Sequence, residues 1–394
     1  MMNFDLTGTF KSSNHIKLNR SKSLYIRYLI FCYTRYNVIL PVQTREAEDV
    51  QTVFRCLQTI KQSQNHTEPV QVNVADCGAA YRFLTALLAV TPGKWFLTGS
   101  PRMLERPILP LVHSLQRAGA NLQPEKDGIL ITGTLLRAPE MEIDCTLSSQ
   151  FASALLLISP LTGLKTLHII PEIPPSSSYI EMTRQVIADI DRVPGFSIPD
   201  IESDWSGAVF WYAVAALKGE GSYYLHGLKL GSIQPDTIIS AWFKNFGITS
   251  TQMPDGVVIE NNYISRPTQP LQYDLRSNPD LAPVLGAFSV LYPCEIVLSG
   301  LQNLNMKESK RLDILAEELS KFAGIERPDN GSLHIMARER ISGQQLTFRS
   351  YGDHRFVMAF MLFSVFNRVT LDETESVRKS YPGFPEDIYG LNPL

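Results

Sequence analysis

Little in this chain of 394 residues points to a specialised class of protein. Five cysteines, Cys32, Cys56, Cys77, Cys145 and Cys294, are odd in number, widely spread and free of CxxC spacing, which fits neither a disulfide framework nor a zinc site. They read as reduced thiols, and a cytoplasmic location is expected. No uninterrupted apolar run reaches membrane-spanning length, since LYIRYLIFCY is broken by Arg27 and reads as a buried helix. The first twenty residues lack the apolar core of a signal peptide. Basic residues are not in excess either: 36 Lys and Arg against 39 Asp and Glu leave a net charge of −3. That balance argues against a general nucleic-acid binder and leaves room for a local positive pocket.

What is present is the composition of a folded protein, 44% hydrophobic and 19% charged, in a chain long enough for two sizeable domains. A repeated unit emerges when helix ends are aligned. LVHSLQRAGANL is followed by GILITG, ISAWFKNFGITS by GVVIE, and LAEELSKFAGIE by SLHIMA. Each is an amphipathic helix closed near a glycine and followed by a strand. SYIEMTRQVIADI, ending around Gly195, reads as a further member. Repeated helix–strand alternation means an α/β architecture assembled from copies of one unit.

A second pattern concerns chemistry. Six apolar helices open on polar or charged clusters: SKSLYIRYLIF, DCGAAYRFLTALLAV, SSQFASALLLI, SDWSGAVFWYAVAAL, NPDLAPVLGAFSVL and YGDHRFVMAFMLF, starting at residues 21, 76, 148, 203, 278 and 351. Helices apolar on nearly every side belong in the interior, so their polar openings must meet something polar. Any one opening can be an ordinary cap. Six alike favour a shared anionic ligand, because helix N-termini carry unpaired N–H groups and a positive dipole end. Lys22, Arg27, Arg82, Arg102, Lys307, Arg311, Arg355 and Lys379 lie in or beside such segments. Arginine suits bidentate binding of phosphate or carboxylate, and lysine supplies a point charge.

Between Gly300 and Leu319, Leu312, Leu315, Leu319 and Phe322 mark one helix stripe that, stepped back a turn, reaches Arg311 and Glu308. The spacing predicts a helix whose first turn carries Lys307, Glu308 and Arg311. Periodicity alone leaves two readings open, a solvated helix end or a cluster aimed inward.

SKSxxxR at 21–27, CGAAYR, LTGSPRMLERPI at 97–108, SSQ at 148–150, PDLAP at 279–283, NLNMKESKR at 303–311, YGDHR at 351–355 and KSYP at 379–382 resemble, in this order, the motif set of the 5-enolpyruvylshikimate-3-phosphate synthase family of enolpyruvyl transferases. TGSPRMxERP, KESxR and GDHR in sequence are highly specific, and the likeness covers most of the chain. It implies an α/β fold of two similar domains, each of three βαβαββ repeats with helices packed inside, an inside-out α/β barrel. The domains expected are residues 20–202 and residues 1–19 with 203–394, with the active site in the cleft between them.

The resemblance also implies the reaction: transfer of the enolpyruvyl group of phosphoenolpyruvate to the 5-hydroxyl of shikimate 3-phosphate by addition and elimination, releasing phosphate. This is a step of the shikimate pathway to chorismate and aromatic amino acids. No metal and no organic cofactor are implied, and neither a nucleic-acid nor a membrane partner. A cytoplasmic monomer is expected. By motif, Lys22, Gly78, Arg82, Arg102, Gln150, Arg311, Arg355 and Lys379 correspond to phosphoenolpyruvate contacts. Lys22, Ser23, Arg27, Ser148, Ser149, Gln150, Ser176, Tyr179, Asp280, Asn303 and Lys307 correspond to shikimate 3-phosphate contacts. Asp280 and Glu308 would move protons, and Lys22, touching both substrates, is counted with them as catalytic. On its own, Asp280 in NPDLAP reads more readily as a helix cap.

Several positions depart from the family pattern. Asn19 and Arg20 replace Pro-Gly, Ile26 an Asn, Ala79 a Thr, Lys310 an Asp and Pro235 a Gly. The chain is short between Arg27 and Asp76, and again between Tyr179 and Asp204. Two alternatives follow: transfer to UDP-N-acetylglucosamine by the sister enzyme, or a non-catalytic descendant that binds a phosphorylated ligand. KESxR with GDHR speaks against the first, and retention of Lys22, Asp280, Glu308 and the arginines against the second.

Overall fold

The computed structural model describes residues 2–6, 13–63, 68–262 and 266–390. The chain divides into two units, residues 22–201 and residues 1–21 with 202–394.

In the unit of residues 22–201, three helices rich in Leu, Ala, Phe and Tyr form the interior: α1 (Lys22–Tyr36), α2 (Gly78–Val90) and α3 (Gln150–Leu157). Twelve of the thirteen α2 residues are buried, as a helix without a polar face requires. One βαβαββ repeat is complete here. Strands Val70–Asn73 and Gly93–Thr98 run parallel on either side of α2, the helix Leu109–Arg117 follows, and the hairpin Asn121–Glu125 with Gly128–Gly133 returns antiparallel.

The flanking repeats are abridged. Among the described residues, α1 is followed by the helix Glu48–Gln62 with no strand between them. Strands Glu140–Asp144 and Thr166–Ile170 pair in parallel around α3 and lead to the helix Ser178–Arg192, with no closing hairpin among the described residues. The short stretches noted in the sequence therefore correspond to strands left out of the repeat.

The other unit is built around α4 (Trp205–Lys218), α5 (Ala282–Leu291) and α6 (His354–Met361). Its three sheets start from parallel pairs: Ser13–Ile16 with Ser222–His226, Leu271–Asp274 with Glu295–Ser299, and Gln345–Phe348 with Arg368–Leu371. Antiparallel hairpins extend the first two, Ile248–Met253 with Gly256–Asn261 and Gly324–Glu326 with Leu333–Met336. The N-terminal strand Met2–Asp5 completes the third. Strands such as Glu295–Ser299 alternate buried and half-buried residues, the period-two signature of a sheet with one face on the core.

Caps set the ends of α4. Asp204 accepts the N–H groups of Ser206 (2.7 Å) and Gly207 (3.2 Å), and Gly219 stops the helix with φ +74°, a left-handed conformation that costs glycine little. Between the caps, small residues such as Ala208 and Ala213 let neighbouring helices approach, while Trp205, Phe210, Trp211 and Tyr212 are fully enclosed. Each such aromatic contributes roughly 1.5–3 kcal/mol of hydrophobic stabilisation. The interior is thus filled from the middle of each helix, which leaves the openings to carry charge.

Candidate active site

The residues singled out by sequence form two sets, one in each unit. In the unit of residues 22–201, Lys22 is the first residue of α1, and its Nζ lies 3.0 Å from Asp49 Oδ2. The Asp49 carbonyl accepts from Cys77 Sγ at 3.7 Å, and Cys77 caps α2 by accepting the Ala80 N–H. Asp49 therefore ties the openings of α1 and α2 together.

Arg27 lies farther along α1, in the core. It donates to Thr183 Oγ1 (2.7 Å) and to the carbonyls of Ser23 (2.9 Å) and Tyr179 (3.3 Å), with the Phe83 and Tyr179 rings 5.4 and 5.8 Å away. Thr183 continues the chain to Ser153 Oγ on α3 at 2.9 Å. Burial pulls the Arg27 guanidinium down to about 10, with Tyr179 acting the other way, so the group is charged at neutral pH. None of its three acceptors is charged.

Arg82 is buried in the opening of α2, where it donates to the carbonyls of Gly78 (3.1 Å) and Pro107 (2.8 Å). A methyl group on Gly78 would stand 2.6 Å from Arg106 Nη1 and 3.0 Å from Arg82 Nη1, so glycine is what lets two guanidinium groups press on this turn. Arg102 sits half exposed on the short helix Pro101–Leu104, 2.9 Å from Glu105. Ser100 caps that helix and donates to Asp76 at the opening of α2, bringing Arg102 to the same neighbourhood.

Ser148 accepts the Gln150 N–H at 3.3 Å, a local turn-capping contact, and Ser149 is buried beside it at the start of α3. Ser176 takes φ +58° and accepts the Tyr179 N–H at 3.0 Å, fixing the turn into Ser178–Arg192.

In the other unit the openings of α4, α5 and α6 meet around Arg311, whose side chain is 1% exposed. Its Nε donates to Asp353 Oδ2 (2.7 Å), Nη1 to Asp280 Oδ1 (2.8 Å), and Nη2 to Glu308 Oε2 (2.6 Å) and Asp353 Oδ1 (3.1 Å). Asp353 also receives Ser309 Oγ and caps α6 through the Arg355 N–H. Lys307 Nζ stands 3.4 Å and Arg355 Nη2 3.8 Å from the Asp280 carboxylate. Arg355 Nη1 reaches the Ser206 carbonyl at the head of α4 (3.1 Å), and Ser206 in turn donates to Asp236, which also receives Asn278 Nδ2 at 2.8 Å.

Opposing forces act on these groups. Burial works to raise the Asp280 carboxyl, but Lys307, Arg311 and Arg355 outweigh it and Glu308 together and hold the group far below the usual carboxylate range. Burial would lower Arg311, yet Asp353, Glu308 and Asp280 keep it firmly protonated. Asp236 moves the other way: burial raises it, against its hydrogen bonds from Asn278 and Ser206.

Asn303 precedes the 3-10 turn Leu304–Met306, and Lys379 ends the 3-10 helix Thr374–Lys379. Ser380, next in the chain, lines a small cavity together with Arg355 and Ser206.

Two expectations change here. The helix predicted to open at Lys307 begins instead at Arg311. Asn305 is the cause: its Oδ1 accepts the N–H groups of Leu312 (2.9 Å) and Asp313 (3.3 Å), capping the helix from outside, while 307–309 form a bend ahead of it. Lys307 and Arg311 nevertheless converge, on Asp280 rather than along a helix face. Asp280, within the 3-10 turn Pro279–Leu281, makes no capping bond, and its carboxylate is spent on cations. Asp353, Asp49 and Asp236, which the structure places in these networks, have no assigned role in the sequence motifs. Asp353 stood in a quoted motif at a cap position; Asp49, on an amphipathic helix, gave no signal.

A family model described as EPSP synthase (3-phosphoshikimate 1-carboxyvinyltransferase) matches residues 40–388. A 3-phosphoshikimate 1-carboxyvinyltransferase of Bacteroides fragilis is 31% identical over 411 aligned residues, covering 98% of this chain and 97% of its own. That likeness takes in Lys22 to Arg27, which precede the family-model match. Among solved structures, an EPSP synthase from Acinetobacter baumannii aligns at TM-score 0.70, covering 99% of this chain and 98% of that one at 18% identity. The enolpyruvyl transferase NikO from Streptomyces tendae aligns at 0.69, with 99% and 96% covered and 14% identity. At such identities the two structures speak to the fold alone, which is that of the two-domain enolpyruvyl transferases. The chain belongs to the EPSP synthase (3-phosphoshikimate 1-carboxyvinyltransferase) family.

Proposed function

We propose that this chain performs the reaction its family is named for: the 5-hydroxyl of shikimate 3-phosphate adds to C2 of phosphoenolpyruvate, and phosphate is then expelled to leave the enolpyruvyl ether. The addition protonates the methylene carbon and deprotonates the hydroxyl, and the elimination removes a proton from the resulting methyl group. Two acid–base groups must therefore stand near one another, among cations that hold two polyanions together.

The observation that carries this reading is the pair Asp280 and Glu308, both anchored on the buried Arg311 at 2.8 and 2.6 Å. Asp280, held ionised by Lys307, Arg311 and Arg355, is fitted to take the hydroxyl proton. In the resting arrangement it is a weak base. Substrate phosphate and carboxylate groups would draw Lys307 and Arg355 toward themselves, and weakening those contacts raises its basicity when substrate is present. Glu308 then serves the methylene carbon.

Arg82, Arg102, Arg311, Arg355, Lys379 and Gln150 are assigned to phosphoenolpyruvate, with Gly78 allowing close backbone approach. Ser23, Arg27, Ser148, Ser149, Gln150, Ser176, Tyr179, Asp280, Asn303 and Lys307 are assigned to shikimate 3-phosphate, and Lys22 to both substrates. This assignment requires the two residue sets to face a common cleft between the units, which serve as the two domains. A cytoplasmic monomer acting on these two small molecules completes the proposal.

The test is phosphate release from phosphoenolpyruvate by purified protein. Release that depends on shikimate 3-phosphate is the expected result. Release with UDP-N-acetylglucosamine instead, or none with either acceptor at high concentration, would overturn it.

A further inference from the structure

Outside the residues assigned to carboxyvinyl transfer, the unit of residues 1–21 and 202–394 carries a chain of three polar side chains on its first sheet. His15 lies on the strand Ser13–Ile16 and His226 on its parallel neighbour Ser222–His226, offset by two from the directly opposed pair His15 and Tyr224. His15 Nδ1 and His226 Nε2 stand 3.0 Å apart, and the other nitrogen of His226, Nδ1, is 3.3 Å from Asp255 Oδ2. The Tyr224 ring packs against both imidazoles, with centroids 5.3 and 4.3 Å away, and limits their rotation.

Chemistry narrows what such an arrangement holds. Asp255 favours a proton on His226 Nδ1, which leaves the Nε2 lone pair directed at His15. Two ring nitrogens at this distance share a proton as an N–H···N hydrogen bond or, once His15 Nδ1 gives that proton up, present two lone pairs that a metal ion can bridge. With metal–nitrogen bonds of about 2.0 Å, nitrogens 3.0 Å apart subtend about 95° at a bridging ion. That is closer to the cis angle of a tetragonal centre than to a tetrahedral one. Among the described residues no group of three or more His, Cys, Asp or Glu is arranged as a metal site, so a bound ion here would complete its shell with water.

We propose that His15 and His226 form an open bis-imidazole site for a divalent transition metal, with Cu²⁺ the tightest ligand and Asp255 orienting His226. The site joins two strands tied to the chain crossings. The His15 strand runs on to Arg20, which pairs with Ser203, and Gly227, beside His226, accepts the Ser203 N–H at 2.9 Å. The chain leaves this unit after Ser21 and re-enters it at Glu202. A metal here would therefore stiffen the exit and re-entry segments together.

The experiment is calorimetric titration of untagged full-length protein with CuCl₂ in a non-coordinating morpholine-sulfonate buffer, alongside copper electron paramagnetic resonance and thermal melts. One site with two-nitrogen hyperfine splitting and a copper-dependent rise in Tm is expected. His15→Ala and His226→Ala should each weaken this site at least tenfold and abolish the Tm rise, while Asp255→Asn weakens it roughly tenfold, as loss of an orienting carboxylate does. His113→Ala, an exposed histidine elsewhere, should change nothing. Unchanged affinity in His15→Ala, a spectrum without two coordinated nitrogens, or no site at all in the parent protein would each overturn the proposal.

Discussion

Replacing Glu308 with Gln separates proton transfer from binding, because the structure bounds what else the change can do. Glu308 Oε2 meets Arg311 Nη2 at 2.6 Å, and an amide oxygen can accept that bond. Arg311 also keeps Asp353 and Asp280, at 2.7 and 2.8 Å, so no buried charge is stranded. The structural cost is then the difference between a charge-assisted and a neutral hydrogen bond, about 1–2 kcal/mol. Removal of a general acid or base costs a factor of about 10²–10⁴ in the chemical step, or about 2.7–5.5 kcal/mol. Steady-state phosphate release over a range of both substrates should show kcat falling by that factor while each KM stays within about threefold. A preserved kcat with a raised KM would refute the argument, since it would make Glu308 a binding group.

Three other substitutions probe different parts of the structure. Arg27→Lys loses a fork that reaches Thr183, Ser23 and Tyr179 at once, so KM for shikimate 3-phosphate should rise roughly tenfold or more with kcat little changed; an unchanged KM would remove Arg27 from that role. Asp353→Asn keeps the α6 cap but takes one charge from a buried pair, and should lower the unfolding free energy by about 3 kcal/mol in urea at constant m; a loss below about 1 kcal/mol would contradict the pairing. Asp387 is raised to about 6 by burial, with Glu386 adding to the rise and the Tyr381 hydroxyl opposing it. The folded state therefore binds more protons between pH 3.8 and 6, stability falls as pH rises through that window by up to about 3 kcal/mol, and Asp387→Asn should flatten the slope and raise Tm at pH 8. Asp280 acts in the opposite sense, contributing stability above its ordinary range that is lost as acid protonates it.

The interior helices were legible in sequence because their apolar residues run right round the axis. Three αββ units were legible because a glycine stands at the passage from helix to strand; the helix Ser178–Arg192, expected to be a fourth, is followed among the described residues by another helix and no closing hairpin. Omission of strands from the first and last repeats of residues 22–201 was visible only as shortness, since nothing local says which element a short chain drops. The start of the helix at Arg311 was misplaced because the deciding contact comes from Asn305, a side chain outside the periodic segment. Arg311 stood out as a cation near a buried stripe, but that Asp353, forty-two residues away, completes its cage depends on how α6 packs.

The two residue sets solve different electrostatic problems. Arg27 is buried against a hydroxyl, two carbonyls and two aromatic rings, partners that orient a guanidinium without cancelling its charge. Its positive potential remains available to a phosphate, and burial strengthens that attraction by lowering the local dielectric. Arg311, by contrast, is shared among three carboxylates, so most of its charge is already answered inside the protein. A residue so enclosed makes a poor primary magnet for a polyanion and a good clamp for two acids. Holding Asp280 and Glu308 on adjacent nitrogens fixes the distance between the two groups proposed to take and give the proton. Addition and elimination both depend on that separation, and a flexible pair would have to rebuild it in every turnover. If Arg27 holds a substrate phosphate and Asp280 and Glu308 move the protons, substitution of Arg27 should act mainly on KM and loss of either acid from the Arg311 cage mainly on kcat.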